Sequence, residues 1–149
     1  MLLLAAHVTY AEWTLVAQTA PWGPRAGHAS EVHDGGLWVI GGGPLEPSST
    51  AKSTIHPKND VWRSSDGVAW TLVADAAPWA PRTDHEAVSF AGRLWLLGGR
   101  GLSRGAETEY YADLWASDDG ASWERVMDET PWASSAEAVV YADALWVVW

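Results

Sequence analysis

Two arginines, two histidines and a scatter of carboxylates recur at matching places along the chain and set the chemistry it can offer. Arg25 and Arg82 each close the motif Ala-Pro-Trp-x-Pro-Arg. A planar guanidinium fork suits carboxylate recognition, and it serves equally to tie a loop to its own carbonyls or to an aspartate. His28 and His85 follow three residues later in both copies, and this repetition favours a structural hydrogen bond over ligation. Two clusters, Glu31-x-His33-Asp34 and Asp84-His85-Glu86, bring together metal-binding residue types. On a strand, adjacent side chains face opposite ways, so Asp84, His85 and Glu86 do not converge on one ion. Glu31 and His33 share a face, but two ligands do not make a site. We therefore expect no metal. No acid/base pair or nucleophile constellation can be assigned, so no catalytic residue and no cofactor is expected either. The absence of cysteine excludes thiolate metal sites, a cysteine nucleophile and any disulfide framework.

The wider composition narrows the partners. The net charge is −10 and only nine basic residues are present, scattered along the chain. Phosphate backbones require clustered Lys and Arg, so nucleic acid is not an expected partner. No stretch approaches the roughly 20 apolar residues of a membrane helix. Residues 1–11 read as an N-terminal segment. Its short apolar run hints weakly at the tail of a secretory signal, but the basic n-region of such a signal is missing. Localisation stays open between secreted and cytoplasmic.

These residues sit in an internal repeat. Trp13 to Trp70, Trp22 to Trp79, His28 to His85 and Trp38 to Trp95 are each 57 positions apart, and Trp70 to Trp123 and Trp79 to Trp132 are each 53. Periods of this length, with no helical stripe, belong to units of four strands. The first strand of each unit is read at His28–His33 and Glu86–Ala91, followed by turns at Asp34-Gly35-Gly36 and Ala91-Gly92. The second is Leu37–Ile40 and Leu94–Leu97, apolar throughout, as suits a strand covered on both faces. The pairs Gly41-Gly42 and Gly98-Gly99 end it, pointing to close backbone approach or positive φ. Third strands are expected at Asp60–Ser65 and Ala112–Ser117. Asp-Gly turns then lead into fourth strands at Trp70–Val73 and Trp123–Val126. The proline-rich connection cannot be a central strand and is read as a loop crossing to the next unit.

Taken together, Pro24-Arg25-x-x-His28, Leu37-Trp38-Val39-Ile40-Gly41-Gly42, Asn59-Asp60-Val61-Trp62, Pro81-Arg82, His85, Leu94–Gly99, Asp113-Leu114-Trp115 and the strand-opening Trp70 and Trp123 resemble the kelch repeat. The resemblance covers residues 12–149. It implies an all-β, kelch-type β-propeller segment of four-stranded antiparallel blades, incomplete or open. Its parts would be a lone outer strand (12–16), blades at 28–73 and 85–126, and a partial blade at 137–149. The tryptophans Trp13, Trp22, Trp38, Trp62, Trp70, Trp79, Trp95, Trp115 and Trp123 are then packing anchors. In the third unit, Ser135 and Ala138 fall where a spacing of 53 would put the arginine and histidine, and Val148-Trp149 replaces the glycine pair. Of a fragment, a self-assembled ring and an open arc, the fragment is the preferred expectation.

By the same resemblance, the inter-blade connections are where partners bind, which makes Arg25 and Arg82 binding candidates. Arg104, Tyr110 and Tyr111 join them, because the long loops 43–59 and 100–111 differ between the units and Arg and Tyr dominate binding hot spots. The expected function is non-enzymatic binding of a protein or peptide. The alternative is a fragment of a carbohydrate-binding or carbohydrate-modifying kelch enzyme, of galactose oxidase-like or sialic-acid epimerase-like type. The copper–tyrosyl chemistry of the former needs a cysteine that this chain lacks.

Overall fold

The computed structural model describes residues 3–7, 12–46, 54–102, 108–132 and 134–149. Every regular element among them is a strand. β3 (Ala29–His33), β4 (Gly36–Gly42), β7 (Lys58–Ser64) and β8 (Thr71–Ala74) form one antiparallel sheet in chain order. β9 (Glu86–Phe90), β10 (Arg93–Leu97), β11 (Leu114–Ser117) and β12 (Glu124–Met127) form a second of the same topology. Three two-stranded pieces complete the chain: β1 (Leu3–His7) with β2 (Glu12–Ala17), β5 (Leu45–Glu46) with β6 (Thr54–Ile55), and β13 (Glu137–Tyr141) with β14 (Ala144–Val148). No helix among the described residues is long and apolar enough to cross a membrane.

Turn chemistry fixes the registers. Asp34 and Gly35 have φ of 45° and 64°, Ala91 and Gly92 51° and 75°, and Ala142 and Asp143 51° and 56°. Two consecutive residues with positive φ make the two-residue turn whose twist matches a hairpin. Gly36 therefore opens β4 instead of belonging to the turn as expected. Glu12–Val16, expected as a lone strand, lies in β2, which pairs with β1. In the third unit Glu137 pairs with Val148 as Glu86 pairs with Leu97, an offset of 51. This corrects the expectation for the glycine pair: Val148 stands at the place of Leu97, and Trp149 alone falls at a glycine position.

The second strand of each four-stranded sheet is largely enclosed, as its apolar run demands. Ile40, Leu94 and Leu96 are all 0% exposed. They meet Trp38, Val61, Trp79 and Trp115 in one cluster that spans both four-stranded sheets. A second cluster of Val88, Leu97 and Leu114 is covered by Trp132, Leu145 and Val147. The first strands β3, β9 and β13 lie side by side in succession. Gly41, at φ 56°, shows why glycine ends β4: a Cβ there would stand 2.8 Å from the His85 ring of the next unit.

Candidate binding surface

The two recurring arginines are buried. The Arg25 guanidinium donates to both oxygens of Asp60, at 2.8 and 3.0 Å, and to the carbonyls of Gly41 and Trp22. Arg82 repeats the arrangement, donating to Asp113 at 2.6 and 2.9 Å and to the Gly98 carbonyl at 2.7 Å. Trp62 donates to Asp60 and Trp115 to Asp113, each at 2.8 Å. Arg82 is 0% exposed and lies over the rings of Trp79 and Tyr111. Each arginine thus ties the crossing loop to the glycine turn and to the third strand of its unit. This corrects their reading as contact residues: a fork whose edges are occupied inside the chain has none to offer a partner. The two carboxylates are held below the usual carboxylate range despite the opposing effect of burial, because the arginine and the indole N–H donate to their charged form.

His28 and His85 keep matching positions too, each 6.1 Å from the tryptophan of its own crossing loop and tilted 40° to it. Burial first, and then the charge of Arg82, depress the His85 pKa to about 3. His28 is lowered by the same two causes, with Arg25 as the charge. A histidine whose folded-state pKa lies below its unfolded value near 6.5 stabilises the fold above that pH, and the contribution is lost as pH falls toward the folded value. Thermal unfolding followed from pH 7 to about pH 5, above the range in which the lowered aspartates contribute, is expected to show the midpoint falling below about 6.5. His85→Gln should remove most of that slope, leaving the share carried by His28. An unchanged slope in the variant would show that His85 is not the group responsible.

In each four-stranded sheet, the turn before the fourth strand is held by a Ser-x-Asp-Gly motif. Asp66 accepts from the Val68 and Ala69 amides, both at 2.8 Å, and Asp119 from those of Ala121 and Ser122 at 2.9 and 2.7 Å. Ser64 and Ser117 each accept from the following glycine amide at 2.8 Å. These amide donors hold both aspartates below the usual range. This is local hairpin chemistry.

The exposed polar surface gathers instead beyond the second glycine pair. Thr83 and Arg100 exchange backbone hydrogen bonds, at 2.8 and 2.9 Å, and Arg100 also bridges to Tyr110. The Arg100 side chain donates to Asp84 at 2.6 Å, and both side chains are 46% exposed. Together with Tyr110, Ser134 and Ser135 they line an open cleft of about 260 Å³. Tyr110 is 65% exposed. His56, Pro57, Pro81, Leu102, Glu109 and Tyr111 line a second cleft, of about 400 Å³. Tyr111 stacks on Arg82 with one face and donates to Glu109 at 3.2 Å. Its neighbour Tyr110 is the freer of the two. Arg104 lies outside the described residues. Arg100 was missed by sequence reasoning, although its place directly after Gly98-Gly99 puts it where the chain leaves the scaffold. In the third unit Ser134, not Ser135, takes the backbone place of Arg82: its carbonyl accepts from Gly99 at 2.8 Å, as that of Arg82 accepts from Gly42 at 3.0 Å. Among the described residues no group of three His, Asp or Glu is placed to hold a metal ion.

The architecture is thus all-β, with successive antiparallel four-stranded sheets tied through their crossing loops. Comparison with solved structures finds the same fold in YjhT, which superposes with a TM-score of 0.69 at 20% identity, over 97% of this chain and 49% of that one. Among curated proteins, the Ras guanine nucleotide exchange factor F of Dictyostelium discoideum is 29% identical over 94 residues, which is 62% of this chain and 8% of that protein. No family model matches the chain. The chain therefore spans about half the length of YjhT and a small part of the exchange factor.

Proposed function

We propose that this chain is a segment of a kelch-like β-propeller that binds a protein or peptide, without catalysis, on the loop face around Asp84, Arg100 and Tyr110. One observation carries the proposal. The recurring arginines are consumed by the scaffold, whereas Asp84, Arg100 and Tyr110, which do not recur, stand exposed around an open cleft. In the blade reading, each four-stranded sheet is one blade, β3, β9 and β13 are the inner strands, and the proline-rich segments cross between blades. The kelch-like residues and the likeness to YjhT support that reading. The match to a small part of an exchange factor fits a repeat module within a larger protein, and the activity in that protein's name is not carried over. A cleft with a half-exposed Arg100–Asp84 pair beside an exposed tyrosine suits an extended peptide that offers one carboxylate and backbone amides.

Selecting peptides on the immobilised chain from a displayed library, beside a glycan array, tests this. Selected peptides are expected to lose at least tenfold in affinity on Tyr110→Ala or Arg100→Ala, with the thermal midpoint unchanged. Undiminished affinity would remove the proposed face. Enrichment on glycans alone would favour the carbohydrate reading.

A further inference from the structure

Arg100 sits in the middle of a small backbone layer, bridged antiparallel to Thr83 on one edge and to Tyr110 on the other. The Gly101 amide donates to the Glu109 carbonyl and the Tyr111 amide to the Gly99 carbonyl, both at 2.9 Å. Residues paired across antiparallel strands point to one face, and their chain neighbours point to the other. Arg82, Glu109 and Tyr111 therefore face away from Arg100 and Tyr110. The stacking of the Arg82 guanidinium on the Tyr111 ring, 4.4 Å from its centroid, agrees with this. The clefts divide in the same way: Arg100 and Tyr110 line the smaller one, Glu109 and Tyr111 the larger.

The larger cleft has its own chemistry. Pro57, Pro81, Leu102 and the Tyr111 ring give it apolar walls, and His56 also lines it. Its carboxylate is Glu109, which is exposed, and neither lysine nor arginine is among its described lining residues. The Tyr111 hydroxyl donates to one Glu109 oxygen at 3.2 Å, which orients the carboxylate and leaves lone pairs for a further donor. Arg82, behind the Tyr111 ring, is neutralised by its two bonds to Asp113, at 2.6 and 2.9 Å. A cation entering the cleft thus meets one carboxylate and no unpaired positive charge from that side. An uncharged apolar group would instead cover Glu109 without pairing it, at a desolvation cost.

We propose that this second cleft takes a lysine or arginine side chain of the bound peptide, its aliphatic stem along Pro57, Pro81 and Leu102 and its charge on Glu109. Long basic side chains bury their stems on apolar surface while the charged head stays at a polar edge, and this cleft offers both. The net charge of −10 works in the same direction by drawing cations to the chain. The partner is then a peptide of mixed charge, with an acid for Arg100 in one cleft and a base for Glu109 in the other. The peptide as occupant rests on the function proposed above, whereas the chemistry of the cleft stands on its own lining.

Two probes test it on the full chain. Nα-acetyl-lysine methylamide, titrated in and followed by NMR, is expected to shift the amides of Gly101, Glu109 and Tyr111 saturably. The uncharged norleucine analogue should bind at least tenfold more weakly. Glu109→Gln keeps an acceptor for the Tyr111 hydroxyl, so it should abolish this preference while leaving the thermal midpoint unchanged. No shift at these amides, equal binding of the two compounds, or a preference that survives Glu109→Gln would overturn the proposal. The second probe is the set of peptides selected on the chain, which should carry a lysine or arginine and lose at least fivefold in affinity on Glu109→Gln. Peptides that depend on Arg100 but not on Glu109 would remove this subsite and leave the peptide face standing. A lysine preference lost on Glu109→Gln, with no peptide depending on Arg100, would support the cleft and overturn the Arg100 face instead.

Discussion

Trp79→Ala is expected to lower stability by about 3–5 kcal/mol, measured by denaturant unfolding. Trp79 is 1% exposed and meets the edge of Trp123, the ring of His85 and the guanidinium of Arg82. It belongs to the crossing loop and fills the core cluster shared by the two four-stranded sheets. Its removal therefore leaves a cavity at a junction where neither sheet can collapse independently. Trp13→Ala, in β2 and exposed, is expected to change the stability by no more than about 0.5 kcal/mol. Equal effects of the two substitutions would show that Trp79 is not such a wedge.

Arg82→Met should cost a similar amount, about 3–5 kcal/mol, because it strands Asp113 with a charge and only the Trp115 indole to satisfy it. The Gly98 carbonyl loses its donor in the same step. Replacing both partners, Arg82→Met with Asp113→Leu, is expected to cost clearly less than the sum of the two single changes. The coupling from this double-mutant cycle should be at least 1 kcal/mol in magnitude, as for groups in one buried network. Additive effects would mean that the pair does not act as a unit. Arg25 and Asp60 form the same arrangement one unit earlier and should behave alike.

Much of the fold was legible from the sequence because the repeat carries its own punctuation. The Asp-Gly turns, the apolar second strands and the paired glycines located the strands of both four-stranded sheets to within a few residues. β1 was not legible. Its Leu-Leu-Ala-Ala-His carries neither a turn signal like those of the later units nor the Asp-x-Trp of β7 and β11, so it read as a leader. The offset of 51 between the second and third units shows in the pairing of β13 with β14, so the expectation for the glycine pair falls one residue off. Only pairing fixes register, and a slip of one is invisible in composition.

The candidate surface was less legible for a related reason. Arginine beside proline in a loop looks the same whether its fork faces solvent or a buried aspartate 31 or 35 residues away. The partner lies on another strand, and only the fold brings it within reach. Tyr110 was found by residue type and loop length. Arg100 was passed over because one arginine next to a glycine pair carries no pattern of its own until Asp84 comes to stand opposite it.

The central claim is that successive sheets form one body locked through their crossing loops, since the binding face depends on it. The amides of Gly42 and Gly99 report on it directly, because each donates across to the next unit, to the carbonyls of Arg82 and Ser134. Native-state hydrogen exchange should find both as protected as the amides of β4 and β10. Exchange at these two glycines as fast as at exposed loops, with the strands still protected, would show that the sheets are not joined in this way.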